Sequence, residues 1–140
     1  MKNQQLKEII EIEELIKKLG EKVDVNVLAE VADGRFKHPI YSLSFGSQDP
    51  KAPTLGFVAG VHGLERIGSE VCLSLLQSFV STLEWDRQLQ EVLKRIRIFF
   101  IPTVNPYGIQ HRRRSNANGV DLMRNAPIDA EGDVTFLVGG

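Results

Sequence analysis

The sequence contains a single cysteine, Cys72, among 140 residues, so no disulfide can form within the chain. That scarcity is typical of a reducing compartment, and we expect a cytoplasmic protein. The sequence also lacks an apolar run near the roughly 18 residues that span a bilayer, and its charged N-terminal segment lacks the apolar centre of a signal peptide. The chain also lacks an excess of charge of one sign, since 17 Lys and Arg are balanced by 18 Asp and Glu. We therefore expect no binding to nucleic acid or to a membrane.

Apolar residues make up 42% of the chain, which is enough for one packed core. No repeat or linker divides the sequence, so we expect residues 1–140 to form a single domain. Residues 1–20 predict a leading amphipathic helix, because apolar residues recur every three or four positions and Gly20 supplies a stop. Residues 23–31 and 40–45 predict two antiparallel strands on either side of a hairpin-type turn at Asp33 and Gly34.

The middle of the chain predicts a strand, a helix and a strand. Residues 54–61 form an almost continuous apolar run, which is typical of a strand buried on both faces. Residues 96–104 predict the second strand and residues 105–108, NPYG, a turn. This order predicts parallel pairing, in an α/β fold with a mixed, largely parallel sheet flanked by helices. The apolar stripe of the intervening helix is expected to pack on the sheet: Ile67, Val71, Leu75, Phe79 and Leu83. An apolar run at residues 135–138 predicts a further strand.

The first candidate site lies in residues 60–65, GVHGLE, where the apolar strand gives way to the helix. Ligands of α/β sheets collect at the carboxyl ends of strands, and His62 and Glu65 are spaced so that their side chains can meet. Imidazole and carboxylate groups both bind zinc, and a catalytic zinc site commonly has three protein ligands and a water molecule. The same pattern also fits a structural histidine and a Glu favoured by the helix dipole.

The second candidate site is residues 111–125, HRRRSNANGVDLMRN, which follow NPYG. Guanidinium groups bind carboxylates through two parallel hydrogen bonds, so this segment could hold a carboxylate. A solvated basic loop is the other interpretation. Nucleic-acid binding is not favoured, because no aromatic residues alternate with the arginines. The arginines are Arg112, Arg113, Arg114 and Arg124.

The order of VHGLE, NPYG and RSNANGVDLMRN resembles the zinc carboxypeptidase family of the funnelin type, over roughly residues 23–125. The family's hallmark order is HxxE, NPxG, an arginine and GVDLNRN. The resemblance implies the phosphorylase/hydrolase-like fold of that family and a zinc metallopeptidase that cleaves an amide or peptide bond next to a free carboxylate. Acyl-amino-acid hydrolases of the aspartoacylase and succinylglutamate desuccinylase type share the HGxE element and a similar arginine-rich segment, and they remain the alternative.

Carried over by position, the resemblance makes His62 and Glu65 two ligands of one zinc ion. Arg114 matches the arginine that polarises the scissile carbonyl and stabilises its oxyanion. Arg112 or Arg113 takes that role if the loop aligns differently.

The same resemblance assigns a substrate-binding group. Arg124 matches the arginine that binds the terminal carboxylate of a peptide or acyl-amino-acid substrate, and Asn125 and Arg113 are expected beside it. The residue before that arginine is Asn in the family and Met123 here. Because methionine cannot donate amide hydrogen bonds, a carboxylate held here would depend more on its other partners, and a non-catalytic carboxylate-binding remnant is a further interpretation.

The family's third zinc ligand, a His, and its Glu base follow the GVDLNRN segment at positions beyond this sequence. We therefore expect the chain to be the N-terminal portion of the catalytic domain, inactive by itself, with a sheet edge open to self-association. The remaining histidines are not expected to bind the metal. His38 should sit exposed at a strand start, and His111 in the arginine loop.

Overall fold

The structure is a computed structural model that describes residues 5–34 and 36–127, so the strand predicted at residues 135–138 lies outside the described residues. A short 3₁₀ turn, Gly20–Lys22, follows the first helix. In these ranges no helix combines the length and apolar character that crossing a membrane requires. The elements are, in chain order, α1 (Lys7–Leu19), β1 (Asp24–Asp33), β2 (Phe36–Gly46), β3 (Thr54–Val58), α2 (Arg66–Leu83), α3 (Arg87–Leu93), β4 (Arg97–Ile101) and α4 (Pro106–His111).

The four described strands form one mixed sheet in the order β1-β2-β4-β3. β2 pairs antiparallel with β1 and with β4, whereas β3 and β4 pair in parallel. The parallel pair is joined by α2 and α3, which confirms the predicted crossover. The mixed α/β class is confirmed as well.

The N-terminal elements follow directly from local sequence. Helix α1 buries Ile9 and Ile12 on its apolar face, as its three- and four-residue spacing predicts. In the hairpin, Asp33 pairs with Phe36 and Gly34 has a φ of 58°. That left-handed conformation suits glycine because it has no Cβ, so the predicted turn is confirmed.

The core is centred on Phe100 of β4. Its ring stacks on Phe57 of β3 at 5.0 Å and meets Phe45 of β2 edge-on at 6.2 Å. Phe79 of α2 lies 5.5 Å from the same ring. Aromatic pairs at these distances add about 0.5–1.5 kcal/mol each beyond the area they bury, and here they join one helix to three strands.

The face of α2 that packs on the sheet differs from the predicted stripe. Ile67, Val71 and Leu75 are 66%, 59% and 41% exposed, and only Phe79 and Leu83 of that stripe pack against the core. Helix α2 is apolar around much of its circumference, so its periodicity cannot show which of two apolar faces meets the sheet. The buried residues of α2 are Ser69, Cys72, Leu73, Leu76 and Val80.

The prediction that residues 54–61 form a strand buried on both faces is wrong for the described structure. β3 ends at Val58 and lies at the edge of the sheet. Leu55 and Val58 are 51% and 54% exposed. The reason is topological. An apolar run indicates that both faces of a strand can be buried, but the position of the strand in the sheet depends on which distant strands pair with it. Leu55, Val58, Ile67, Val71 and Leu75 are called the β3/α2 face below.

Candidate active site

His62 and Glu65 lie together in the loop that connects β3 to α2. His62 follows the carboxyl end of β3 and is buried, whereas Glu65 immediately precedes α2 and is exposed. The Glu65 backbone N–H donates to the His62 carbonyl at 3.1 Å, which holds the two residues in one tight turn. His62 Nδ1 is therefore 3.5 Å from Glu65 Oε1, as their three-residue spacing suggested.

The other ring nitrogen of His62 is held by a residue that the sequence analysis missed, Asp121. Asp121 Oδ1 lies 3.2 Å from His62 Nε2, and its Oδ2 accepts a hydrogen bond from Arg114 Nε at 2.6 Å. A carboxylate on the second nitrogen orients a metal-binding imidazole and raises its basicity. Asp121 is the acidic residue of the arginine-rich segment. A carboxylate among several arginines is the signal from which the sequence could have indicated a functional role for it.

Asp121 is held ionised by its surroundings. Burial opposes its ionisation, but hydrogen bonds from Arg114, the Arg124 backbone and His62 outweigh that effect and hold the pKa of the Asp121 carboxyl well below its usual range. The Met123 and Arg124 backbone N–H groups both donate to Oδ1, at 3.0 and 3.2 Å. Asp121 is therefore a fixed negative charge behind the imidazole.

The donor set of His62 and Glu65 fits one zinc ion. Zinc binds imidazole nitrogen and carboxylate oxygen at about 2.0–2.2 Å, so two ligands at tetrahedral angles are about 3.4 Å apart. His62 Nδ1 and Glu65 Oε1 are 3.5 Å apart, and the Asp121 contact leaves Nδ1 as the nitrogen that faces the carboxylate. In residues 5–34 and 36–127, no group of three His, Cys, Asp or Glu side chains is arranged to hold a metal ion.

Arg114 is the arginine that reaches the pair of His62 and Glu65. Its side chain is half-buried, and besides the bond to Asp121 its Nη1 lies 3.8 Å from Glu65 Oε1. The neighbouring Arg112 and Arg113 are exposed. The structure therefore places Arg114 between the carboxylates of Glu65 and Asp121.

The predicted substrate-binding residues also meet at Asp121. Arg124 Nε lies 3.5 Å from Asp121 Oδ2, and Asn125 Nδ2 donates to the Asp121 backbone carbonyl at 3.0 Å. Both side chains are exposed, as is Met123. Arg113 differs, because the hydrogen bonds that join it to Gly63 and Gly108 are made by its backbone.

NPYG is not a plain turn but the start of helix α4. Asn105 is the N-cap, and its Oδ1 accepts from the Gly108 N–H at 2.9 Å. Pro106 occupies the first helical position, where its missing N–H costs nothing. The sequence analysis missed this helix because asparagine followed by proline is typical of both a turn and a helix start.

The loop that carries His62 contacts α4 through backbone atoms. A Cβ on Gly63 would lie 1.8 Å from the carbonyl carbon of Gly108, so these positions exclude any larger residue. The Gly63 N–H donates to the Arg113 carbonyl at 3.0 Å, and the Arg113 N–H donates to Gly108 at 2.9 Å. The loop that carries His62 thereby meets α4 and the start of the arginine-rich segment, both distant from it in sequence, within one backbone hydrogen-bond network.

The other two histidines lie beside Asp33. His111 Nε2 is 2.8 Å from Asp33 Oδ2, and His38 Nε2 is 3.9 Å from the same oxygen. The expectation that His38 is exposed is wrong, since it is fully buried. β2 begins at Phe36, four residues before the predicted strand, and so carries His38 inside. Burial lowers the pKa of His38, against an opposing effect of Asp33.

The chain is similar in sequence to known carboxypeptidases. Carboxypeptidase SOL1 of Arabidopsis thaliana is 33% identical over 75 residues, which cover 54% of this chain and 15% of that protein. The carboxypeptidase N catalytic chain of Rattus norvegicus is 33% identical over 107 residues, covering 63% of this chain and 23% of that protein. The chain thus spans less than a quarter of the length of either relative.

The folds agree too. The crystal structure of a metallo-carboxypeptidase from Burkholderia cenocepacia superposes with a TM-score of 0.60 at 23% identity, over 79% of this chain and 31% of that one. The family model for zinc carboxypeptidases matches residues 12–134, which includes each of the site residues described above. The chain therefore belongs to the zinc carboxypeptidase family.

Proposed function

We propose that this chain supplies the metal-binding and carboxylate-binding part of a zinc-dependent hydrolase that cleaves an amide or peptide bond next to a free carboxylate. The observation that carries the proposal is the 3.5 Å separation of His62 Nδ1 and Glu65 Oε1, with Asp121 on the other imidazole nitrogen. When bound, zinc would supply Lewis-acid activation of water and of the scissile carbonyl. His62 and Glu65 would hold the ion.

The residues of this chain have separate roles in that reaction. Asp121 orients the His62 imidazole through Nε2, which leaves Nδ1 for the metal. Arg114 donates hydrogen bonds to the oxygen of the scissile carbonyl as negative charge develops there. Its contacts to Asp121 and Glu65 keep its guanidinium beside the metal-binding pair.

The substrate carboxylate is bound at Arg124, with Asn125 and Arg113 nearby. Arg124 is exposed, and its Nε lies 3.5 Å from the same Asp121 oxygen that Arg114 binds, so a substrate carboxylate can reach it from solvent. A guanidinium can bind that group through two hydrogen bonds. Hydrolysis of a peptide and of its C-terminally amidated form tests this role, because equal rates for the two would contradict it.

The decisive test is His62→Ala in the zinc-loaded protein produced at its native length. Loss of zinc retention and of amide hydrolysis is expected. His111→Ala is the matched control, since His111 pairs with Asp33 rather than with Glu65, and it should retain zinc. Unchanged hydrolysis in His62→Ala would overturn the proposal.

A second candidate function is deacylation of an N-acyl amino acid. Met123, which is exposed and cannot donate the amide hydrogen bonds of the family's asparagine, favours instead a module that binds a carboxylate without hydrolysis. Competing an acyl-amino-acid with a peptide for the same enzyme separates the two reactions. A third outcome, binding of the carboxylate without hydrolysis of either compound, would favour a non-catalytic module.

For residues 1–140 by themselves, we propose weak zinc binding and little hydrolysis, because a catalytic zinc site commonly uses three protein ligands. We also propose that these residues associate through the β3/α2 face. An unpaired strand edge beside exposed apolar side chains is a template for pairing with another chain. Leu55→Lys should raise the concentration at which association begins in sedimentation experiments, whereas Val92→Lys, also exposed but in helix α3 rather than in an edge strand, should change it less.

A further inference from the structure

Asn105 connects the segments that carry the two parts of the site. Its side chain is 2% exposed. The amide Nδ2 donates to the Val61 carbonyl at 3.1 Å and to the Ser115 carbonyl at 3.2 Å. A longer contact of 3.5 Å joins it to the Arg114 carbonyl. Val61 immediately precedes His62, so one amide group binds the backbone next to the metal-binding histidine and the backbone of the arginine.

The backbone of Asn105 strengthens the same connection. Its N–H donates to the Gly60 carbonyl at 2.8 Å, and its carbonyl accepts from Ile109 at 3.1 Å. The residue is therefore anchored to the loop after β3 and to α4, and its side chain reaches the arginine loop from there. Its side-chain donors then meet the loop at fixed positions.

Capping of α4 does not by itself explain an asparagine here. The cap needs only an acceptor for the Gly108 N–H, and Asp or Ser would supply one equally well. The contacts to Val61, Arg114 and Ser115 all need a donor, because each partner is a carbonyl oxygen. Of the usual capping side chains, only the Asn amide offers an acceptor and two donors together.

We infer that Asn105 is a positioning residue that sets where Arg114 lies relative to His62 and Glu65. This inference rests on the proposed function, in which Arg114 stabilises the oxyanion. Asn105 does not touch the substrate. It acts through the Arg114 and Ser115 carbonyls, and it thereby fixes the start of the side chain that bonds Asp121 at 2.6 Å.

Asn105→Asp tests the inference, because it keeps the cap acceptor and removes the donors. In the zinc-loaded protein at native length, with an N-benzoylglycyl dipeptide as substrate, we expect kcat to fall by about 100-fold, the scale set by misplacement of a catalytic group by about 1 Å. Zinc content and KM should change by less than about threefold. Val80→Ala, a core truncation in the last turns of α2, controls for lost stability and should leave kcat unchanged.

A double-mutant cycle separates positioning from a merely structural role. If Asn105 acts through Arg114, then Asn105→Asp combined with Arg114→Ala should be no slower than Arg114→Ala. Multiplied losses in the double variant would overturn the inference. Unchanged kcat in Arg114→Ala would instead contradict the oxyanion role in the proposed function, so the two failures are distinct.

A readout without catalysis completes the test. The Nε–H resonance of Arg114 in nitrogen-15 spectra reports its bond to Asp121, and it should shift in Asn105→Asp but persist in Val80→Ala. An unshifted resonance would overturn the inference. Asn105→Ser, which keeps the cap and loses an amide donor, serves if Asn105→Asp does not fold, with the same expected shift.

Discussion

The Glu8 carboxylate of α1 accepts hydrogen bonds from both Nε and Nη2 of Arg66, the first residue of α2. Glu8 is 2% exposed, whereas the Arg66 side chain is 42% exposed. The pair joins the N-terminal helix to the position directly after Glu65, the proposed zinc ligand. It thus connects the outer helix layer to the beginning of the site.

Removal of Arg66 should destabilise the protein. Arg66→Met leaves the buried Glu8 carboxylate without its guanidinium partner, at an expected cost of about 1–3 kcal/mol in the free energy of unfolding. Lys7→Met is the matched control, because Lys7 pairs with Glu11 at the surface and such pairs contribute about 0.3–0.5 kcal/mol. Urea unfolding measures both. Equal small losses would show that the Glu8 pair contributes no more than a surface pair.

Loss of the Asp121 carboxylate should weaken zinc binding. Asp121→Asn leaves the size of the side chain unchanged but removes the charge that faces His62 Nε2 and Arg114. Metal-ligand partners of this kind contribute about 10- to 100-fold to affinity. Competition with a chelator measures the change. Asp86→Asn should have no effect, because Asp86 caps α3 and Asn caps a helix equally well; wild-type zinc affinity in Asp121→Asn would contradict the assignment.

The contact between Gly63 and α4 predicts a large effect of one methyl group. In Gly63→Ala the new Cβ would overlap the Gly108 carbonyl, so the loop must move and the melting temperature should drop. Gly68→Ala adds the same atom inside α2, where the nearest atom is 3.9 Å away, and it should be neutral or stabilising by about 0.5–1 kcal/mol. Similar melting temperatures for the two variants would contradict the close approach.

His38 should make stability depend on pH. Its folded-state pKa lies below the ordinary 6.5 because of burial, although Asp33 opposes and His111 adds to the shift. The unfolded chain therefore binds a proton first as the pH falls. The contribution of His38 to the free energy of unfolding is therefore complete above pH 6.5, and it decreases as the pH falls from 6.5 toward the folded-state pKa. His38→Gln should flatten the slope of unfolding free energy against pH in that window; an unchanged slope would exclude His38 as its source.

Local signals predicted the parts of the fold that depend on near neighbours. The turn at Gly34, the helix over residues 7–19 and the spacing of His62 and Glu65 each depend on residues a few positions apart. The exposed stripe at Ile67 and the exposed strand at Leu55 could not be predicted this way. Their environment depends on strand order, which short-range periodicity does not encode.

The candidate site shows the same difference between residues found from local signals and residues that depend on long-range contacts. His62, Glu65 and the arginines were found from residue type and motif order, whereas Asp121 lies 59 positions from His62. Its contact with the imidazole depends on how the arginine-rich segment folds back over the loop after β3. No local pattern indicates that approach, so it emerged from the structure. The capping role of Asn105 is local, but asparagine followed by proline is typical of both a turn and a helix start.

The backbone contact between Gly63 and Gly108 separates the spacing of two loops from the identity of the side chains around them. Because no side chain lies between the loops, their spacing does not depend on the size of neighbouring residues. An exposed position such as Leu64 can then change without displacing the histidine from the arginine loop. Under the proposed function, substrate preference can therefore change at such a position while the spacing of the His62 loop and the arginine loop is kept.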